Sequence, residues 1–136
     1  MMRFQQISDF QTVHTPGLRE RAQHSSRSIY NHHYIAQDGD IEFAFVSIDL
    51  WPGNQPFVLY ELVVAREHRN KGIGSHILQL IEKMAIEKGY SDIVLTPKPI
   101  DNDCGNRTQS QIEQWYEKRG YHRSSEFANR FEKHLL

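Results

Sequence analysis

Alternating hydrophobic and polar positions dominate the first half of the chain and predict β-strands there. The strands that this pattern predicts are 2–7, 34–36, 41–48 and 57–65. From residue 73 onward, apolar residues recur every three or four positions, which predicts an amphipathic helix to about residue 88. A short apolar strand at 91–96, a second helix at 109–119, and two closing segments at 121–125 and 127–135 complete the pattern.

Turn and cap residues indicate where some of these elements begin and end. Thr15 and Pro16 are typical of an N-cap and a first helical residue, so a helix with a thin apolar stripe is expected to run from there to about residue 30. Asp38-Gly39 lies between two strand patterns and favours a type I′ turn that joins antiparallel strands. A glycine follows each of the two amphipathic segments and is expected to cap it.

The predicted order of elements is β-α-β-β-β-α-β-α-β-β. Early antiparallel pairs followed by a strand–helix–strand crossover predict an α/β (α+β) fold, in which a mixed central β-sheet has helices on both faces. The chain has 136 residues and no internal repeat, low-complexity tract or Ser/Gly linker. We therefore expect a single domain over residues 1–136.

Composition narrows the class of protein. Sixteen Lys and Arg residues against seventeen Asp and Glu residues give a net charge of −1, so there is no overall attraction to nucleic acid or to an anionic membrane. No stretch approaches the roughly 18 apolar residues that a membrane span requires. Cys104 is the lone cysteine, and no Cys or His pair has zinc-site spacing, so no metal is expected. A cytoplasmic protein without nucleic-acid or membrane partners is the expectation.

The segment 62–75 is the most informative about chemistry. Its β-branched strand ends in a basic turn that contains Gly72 and Gly74, and the amphipathic helix follows at once. This order directs free backbone N–H groups and the positive end of a helix dipole at one point, which suits a phosphate or pyrophosphate. A P-loop needs four residues between its glycines, and the dinucleotide fingerprint needs a third glycine, so neither pattern matches.

The pattern that remains is Arg69, Gly72 and Gly74 between a strand and a helix, with Leu62 and Val64 as the apolar pair of the strand. It resembles, position for position, the acyl-CoA-binding motif of the GNAT superfamily of N-acetyltransferases. Downstream, residues 115–121 are similar to the aromatic-Tyr-x-x-x-Gly-aromatic signature of the same family. The two motifs cover residues 57–121, and their ordered pair is more specific than either motif alone.

This resemblance implies an enzyme that takes acetyl-CoA as its acyl donor, uses no metal, and lets an amine attack the thioester while both substrates are bound. The pantetheine arm would lie along the strand backbone, one N–H of which would polarise the thioester oxygen. The pyrophosphate would lie on the glycine turn. The cofactor-binding residues that the resemblance implies are Leu62, Val63, Val64, Arg69, Asn70, Lys71, Gly72, Ile73, Gly74, Ser75 and Gln109.

The same resemblance implies two catalytic residues, Tyr116 and Glu61. Tyr116 matches the family tyrosine that protonates the departing thiolate, and a phenol with a reference pKa near 10 stays protonated at neutral pH. The alternative is that Tyr116 only packs, although Trp115 is the better core residue of the pair. Glu61 lies where some family members keep a carboxylate that accepts the proton of the amine through water. The alternative is that it faces solvent on the polar side of the strand.

Departures from the family pattern keep other interpretations open. Family members often have Asn and Ala where this chain has Gln109 and Ile112. The alternative is therefore a CoA-binding module that has lost catalysis and serves regulation or protein interaction, and a nucleotide-phosphate binder is a third possibility. The acceptor is a small-molecule amine or a protein amine. The polar loop 97–108, which includes Asp101 and Asp103, is a solvated connection or a contact for the acceptor. A homodimer is common in the family.

Overall fold

The computed structural model describes residues 1–25, 27–98 and 107–136, and in these ranges one seven-stranded sheet carries three α-helices. The strands are β1 (Arg3–Ile7), β2 (Asn31–Asp38), β3 (Ile41–Asp49), β4 (Phe57–Val64), β5 (Asp92–Leu95), β6 (His122–Arg123) and β7 (Phe131–His134). The helices are α1 (Pro16–His24), α2 (Ile73–Glu87) and α3 (Gln109–Glu117), and short 3-10 turns occupy Phe10–Thr12 and Arg66–His68. Apart from these two turns, the elements follow the predicted order.

The sheet is mixed, as predicted. Its strand order is β1-β2-β3-β4-β5-β7-β6, and every neighbouring pair is antiparallel except β4 and β5. β4 and β5 are parallel because α2 carries the chain back across the sheet between them. The only parallel pair therefore lies at the centre of the described sheet, next to the helix that follows the glycine turn.

Side chains that alternate along the central strands fill two cores on opposite faces of the sheet. On one face, the apolar stripe of α2 packs against strand residues such as Val46 and Phe57. On the other face, Leu18 of α1 packs in a cluster with Ile35 and Phe45. The prediction of helices on both faces is confirmed.

A β-bulge at Tyr60 changes which face the side chains of β4 occupy. Ser47 of β3 is paired with Glu61, but the next residue of β3 is paired with Leu59, so Tyr60 is the extra residue. Leu59 accordingly belongs to the core on the α2 face, whereas Ala65 belongs to the core on the α1 face. β4 is paired with β5 only over residues 57–59, so the two strands part at the bulge.

α1 is shorter than predicted. It ends at His24, with Ser25 in an extended C-cap conformation, instead of continuing to about residue 30. Its buried residues are Leu18 and Ala22, and the next two positions of this stripe, 25 and 26, are serines. Without buried contacts, a short helix in water has little reason to extend.

The N-terminus of α1 is capped by a side chain of β3 and not by its own N-cap residue. Thr15 is the N-cap residue, as predicted, but its side chain makes no capping bond. Instead, Glu42 of β3 accepts the backbone N–H of Thr15 at 2.7 Å and the backbone N–H of His14 at 3.0 Å. A buried carboxylate thus holds the start of α1 on the sheet.

The β2–β3 hairpin is confirmed, but the prediction of a type I′ turn at Asp38-Gly39 is wrong. Asp38 is paired with Ile41, so the turn residues are Gly39 and Asp40. Of these two, Gly39 has a positive φ of 58° and Asp40 does not. A type I′ turn requires a positive φ at both residues, whereas a glycine in the first position alone is typical of type II′.

Candidate active site

A cleft of about 430 Å³ opens where β4 and β5 part. One wall is the second half of β4 with the glycine turn, and the other is the end of β5 with α3. The lining residues are Leu59, Tyr60, Glu61, Leu62, Val63, Val64, Arg69, Asn70, Gly72, Gly74, Ser75, Leu95, Thr96, Pro97, Lys98, Arg107, Ile112, Trp115, Tyr116 and Arg119. The cleft therefore brings the two sequence motifs together, although 40 residues separate them.

The glycine turn at the mouth of the cleft has the backbone shape of an anion site. Asn70 and Gly72 both have left-handed conformations, with φ values of 63° and 75°. The first amide bonded within α2 is that of His76, which donates to the carbonyl of Gly72 at 3.2 Å. The amides of residues 73–75 precede that bond and lie at the positive end of the helix dipole, so they can bind an anion.

The two glycines of the motif differ in what the fold demands of them. Gly72 has a positive φ and space around it, so its backbone conformation is what disfavours other residues. Gly74 has ordinary dihedral angles, and a Cβ there would make ordinary van der Waals contacts with the ring of Trp115 at 3.4 Å and with the side chain of Val64 at 3.6 Å. The fold therefore explains glycine at position 72, whereas at position 74 the predicted close approach of a phosphate remains the reason for glycine.

The backbone of β4 offers hydrogen-bonding groups to the cleft. Arg69 donates through Nε to the carbonyl of Val64 at 2.9 Å, while the next residue, Ala65, donates its N–H to Phe43 of β3 at 2.8 Å. Backbone groups alternate in direction along a strand, so we infer that Leu62 and Val64 present their N–H groups to the cleft. By the same alternation, the N–H of Val63 faces β3.

Two tyrosines that contact each other have different environments. Tyr116 is half-buried and lines the cleft, and its ring makes edge-to-face contacts with Trp115 at 4.9 Å and with Tyr121 at 5.5 Å. Tyr121 is buried in the core and donates its hydroxyl to Glu82 at 2.7 Å. Burial, reinforced by that bond and by the charge of Glu82, raises the pKa of Tyr121 far above its usual range. Tyr121 is therefore a fixed support for Tyr116.

Trp115 does not have the core position that the sequence favoured for it. It is half-buried like Tyr116, lines the cleft and lies against Gly74. Arg119 stacks on its ring at 3.9 Å, and Arg107 lies 5.8 Å from the ring centre. The buried aromatic residue of the signature is Tyr121, because α3 directs positions 115 and 116 towards the cleft and the chain enters the core only after Gly120.

Glu61 is buried and does not face solvent. Its carboxylate lies 2.8 Å from Nε of Arg21 and accepts a hydrogen bond of 2.9 Å from Ser25. Both partners belong to α1 or its C-cap, so the carboxylate joins β4 to α1 immediately after the bulge. Glu61 is one of the residues that line the cleft, and its side chain is engaged by α1 and its C-cap.

Three residues of the implied cofactor set do not line the cleft: Lys71, Ile73 and Gln109. The side-chain amide of Gln109 donates to the carbonyl of Pro97 at 2.7 Å and to Glu113 at 2.8 Å. Gln109 therefore fixes the end of β5 to α3. Asp101, Asp103 and Cys104 lie outside the described residues.

Sequence reasoning missed the positive charge of the far wall. Lys98 lies 5.1 Å from the ring centre of Tyr60, and Arg107 and Arg119 flank Trp115. Together with Arg69, these residues make the described part of the lining cationic, since Glu61, the one carboxylate among the described lining residues, is paired with Arg21. The available signal in the sequence was Arg119, which comes one helical turn after Trp115. The direction of the Arg119 side chain, however, depends on how α3 packs.

A family model described as "Acetyltransferase (GNAT) domain" matches residues 30–123, which include both motifs and most of the cleft. The chain belongs to the GNAT acetyltransferase family. A search of curated proteins finds no match to this sequence.

Solved structures, among them two N-acetyltransferases, share the fold over almost the whole chain at low sequence identity. The PaiA N-acetyltransferase of Thermoplasma acidophilum in complex with coenzyme A is 16% identical with a TM-score of 0.62, and 98% of this chain and 99% of that chain are covered. The spermidine/spermine N-acetyltransferase SpeG of Vibrio cholerae is 12% identical with a TM-score of 0.68, and the coverage is 99% and 95%. The chain of the KacTA–DNA complex is 10% identical with a TM-score of 0.67, and the coverage is 99% and 94%.

Two further observations concern the described residues alone. None of their helices combines the length and the apolarity that crossing a membrane requires. Within the same ranges, no three His, Cys, Asp or Glu residues are grouped so that they could hold a metal ion.

Proposed function

We propose that this protein transfers an acetyl group from acetyl-CoA to an amine by direct attack in a ternary complex. The observation that carries the proposal is the cationic cleft that runs from the glycine turn, between β4 and β5, to Tyr116. A pyrophosphate fits the turn, because the amides of residues 73–75 and the helix dipole favour negative charge there. A pantetheine arm fits the open edge of β4, where it would extend the sheet as a strand does.

The chemistry requires few side chains once both substrates are held. The N–H of Leu62 or Val64 would polarise the thioester oxygen, and holding the amine next to the thioester would supply much of the acceleration. As the amine attacks, the C–S bond breaks and the sulfur leaves as a thiolate. We propose that Tyr116 donates a proton to this thiolate, since Tyr116 is the tyrosine of the signature that lines the cleft.

The amine must also lose a proton. We keep Glu61 as the proposed acceptor of that proton, through water, because it lies directly after the bulge at which the cleft opens. Its ion pair with Arg21 and its hydrogen bond from Ser25 mean that this role requires water to reach a carboxylate that is already engaged. The acceptor is proposed to be a small-molecule amine or a protein amine. The enzyme is proposed to act in the cytoplasm, as a monomer or homodimer, without a metal and without nucleic acid.

Titration calorimetry of the purified protein with acetyl-CoA tests the donor site, with CoA and ATP as comparators. We expect micromolar binding of acetyl-CoA and CoA that a Gly72→Glu variant loses, because the new side chain requires a strained φ and places a carboxylate at the anion site. Gly53→Glu, at a surface turn that also has a positive φ, is the matched control and is expected to bind normally. Binding of ATP as tight as that of CoA, or no binding at millimolar ligand, would contradict the proposal.

A turnover assay separates an enzyme from a CoA-binding module. Release of free CoA thiol from acetyl-CoA is followed with a panel of polyamines, amino acids, aminoglycosides and peptide amines. Turnover with any member supports the transferase. Tight binding of acetyl-CoA with no turnover across the panel would favour the regulatory or protein-interaction module.

A further inference from the structure

Arg119 is held rigidly at the wall of the cleft. It follows α3, in the turn before Gly120, and its Nη1 donates to the carbonyl of Trp115 at 2.8 Å. Its guanidinium stacks on the ring of Trp115 at 3.9 Å. The side chain is thus fixed from two directions and lines the cleft next to the glycine turn.

Two further N–H groups of Arg119 meet a serine of the glycine turn, and two of its five N–H groups are not used by these bonds. Nε donates to the hydroxyl oxygen of Ser75 at 2.8 Å, and Nη2 donates to the same oxygen. A serine hydroxyl has two lone pairs and one proton. Because both lone pairs are taken by Arg119, the proton of Ser75 is left to donate to another acceptor in the cleft that both residues line.

The positive charge of Arg119 has no carboxylate within ion-pair distance among residues 1–25, 27–98 and 107–136. Instead, a second cation, Arg107, lies on the same tryptophan. Burial and the charge of Arg107 lower the pKa of Arg119 and outweigh the opposite effect of Tyr116. An anion bound beside Ser75 would offset burial and repulsion, and a phosphate suits this site because its oxygens accept charge-assisted hydrogen bonds from a guanidinium and a further bond from a hydroxyl.

We propose that Arg119, together with the hydroxyl of Ser75, binds a phosphate group of the acyl donor and selects phosphate-bearing donors over bare pantetheine thioesters. This inference rests on the proposed function. It adds a residue from the second motif to the phosphate site of the first, so that the far wall of the cleft takes part in recognising the nucleotide end of the donor. The phosphate is either part of the pyrophosphate or the 3′-phosphate of CoA.

Three donors and three variants test this inference by calorimetry. The donors are acetyl-CoA, acetyl-dephospho-CoA, which lacks the 3′-phosphate, and S-acetyl-pantetheine, which lacks every phosphate. The variants are Arg119→Met, Ser75→Ala and, as the matched control, Arg123→Met, which removes an exposed arginine paired with Glu113 outside the cleft. Ser75→Ala keeps Arg119 stacked on Trp115, so it remains informative if Arg119→Met fails to fold.

We expect Arg119→Met to weaken acetyl-CoA about tenfold, which corresponds to about 1.4 kcal/mol. Ser75→Ala should weaken it about threefold, and neither change should affect S-acetyl-pantetheine. If the two variants lose affinity for both acetyl-CoA and acetyl-dephospho-CoA, the group bound is the pyrophosphate. If they lose affinity for acetyl-CoA alone, the group bound is the 3′-phosphate.

Two results would overturn the inference. One is an acetyl-CoA affinity that is unchanged in both cleft variants while the wild type binds normally. The other is an equal loss for all three donors, which would indicate a general disturbance of the cleft. Absence of acetyl-CoA binding to the wild type is a different outcome, because it would contradict the proposed function itself.

Discussion

Tyr116 and Tyr121 contact each other five residues apart, and their surroundings give them different chemistry. Tyr121 is buried and gives its hydroxyl to Glu82, whereas Tyr116 lines the cleft. In the proposed mechanism the general acid must reach the group that it protonates, and of these two tyrosines Tyr116 is the one that lines the cleft beside β4. The position of the core is therefore our reason for proposing Tyr116, and not Tyr121, as the acid.

At the residue scale, replacing Tyr116 by Phe tests this assignment. We expect kcat to fall about 10- to 1000-fold, because the proton for the departing thiolate then comes from water. The donor Kd should change less than about twofold, since the ring remains. Both quantities are measured by thiol release and calorimetry.

Tyr121→Phe is the matched control for this substitution. It should lower the melting temperature, because Glu82 loses a hydrogen bond in a half-buried position, and leave kcat within about threefold. Equal losses of kcat in the two variants would contradict the separate roles assigned to the two tyrosines.

At the scale of elements, α1 depends on a carboxylate from β3. Burial acts to raise the pKa of Glu42, but the amide hydrogen bonds from His14 and Thr15 outweigh it, so the pKa lies below its ordinary value of 4.5. The folded state therefore favours the charged form. This contribution to stability is complete above pH 4.5 and is lost as the pH falls through the lowered pKa.

We expect Glu42→Ala to lower the free energy of unfolding by about 1 to 2 kcal/mol at pH 7, since two amides at the start of α1 lose their acceptor. Urea denaturation at pH 7 and pH 3 measures the difference between wild type and variant. That difference should be smaller at pH 3, because below pH 4.5 the unfolded state takes up a proton at Glu42 more readily than the folded state does. Asp40→Ala, an exposed residue of the β2–β3 turn, is the control, and a difference that does not vary with pH would contradict the capping role.

At the scale of the whole molecule, both cores share one sheet. The cluster on the α2 face and the cluster on the α1 face are filled from alternate positions of the same strands, so neither can persist without the other. We therefore predict one cooperative unfolding transition for residues 1–136, which calorimetric scanning measures as equal van't Hoff and calorimetric enthalpies. Acetyl-CoA at 100 times its Kd should stabilise the fold by about 2.7 kcal/mol. Two resolved transitions would contradict the single-domain prediction.

The sequence by itself determined the order of elements, the mixed sheet and the glycine turn, because these follow from local periodicity and from residues with restricted backbone conformations. It also indicated the family, since both motifs are short, contiguous patterns. The limits of α1 and the type of the β2–β3 turn were predicted wrongly, since buried contacts decide where a short helix stops, and strand register decides which two residues form a turn.

Only the tertiary structure decided how the two motifs face each other. The bulge at Tyr60 separates β4 from β5 and turns Glu61 towards α1, and no local pattern in the sequence marks it. The packing of α3 places Trp115 over Gly74 and brings Arg119 to Ser75, 44 residues away. Contacts of this kind depend on how elements pack across the sheet, and a sequence read for local periodicity and motif spacing contains no information about that packing.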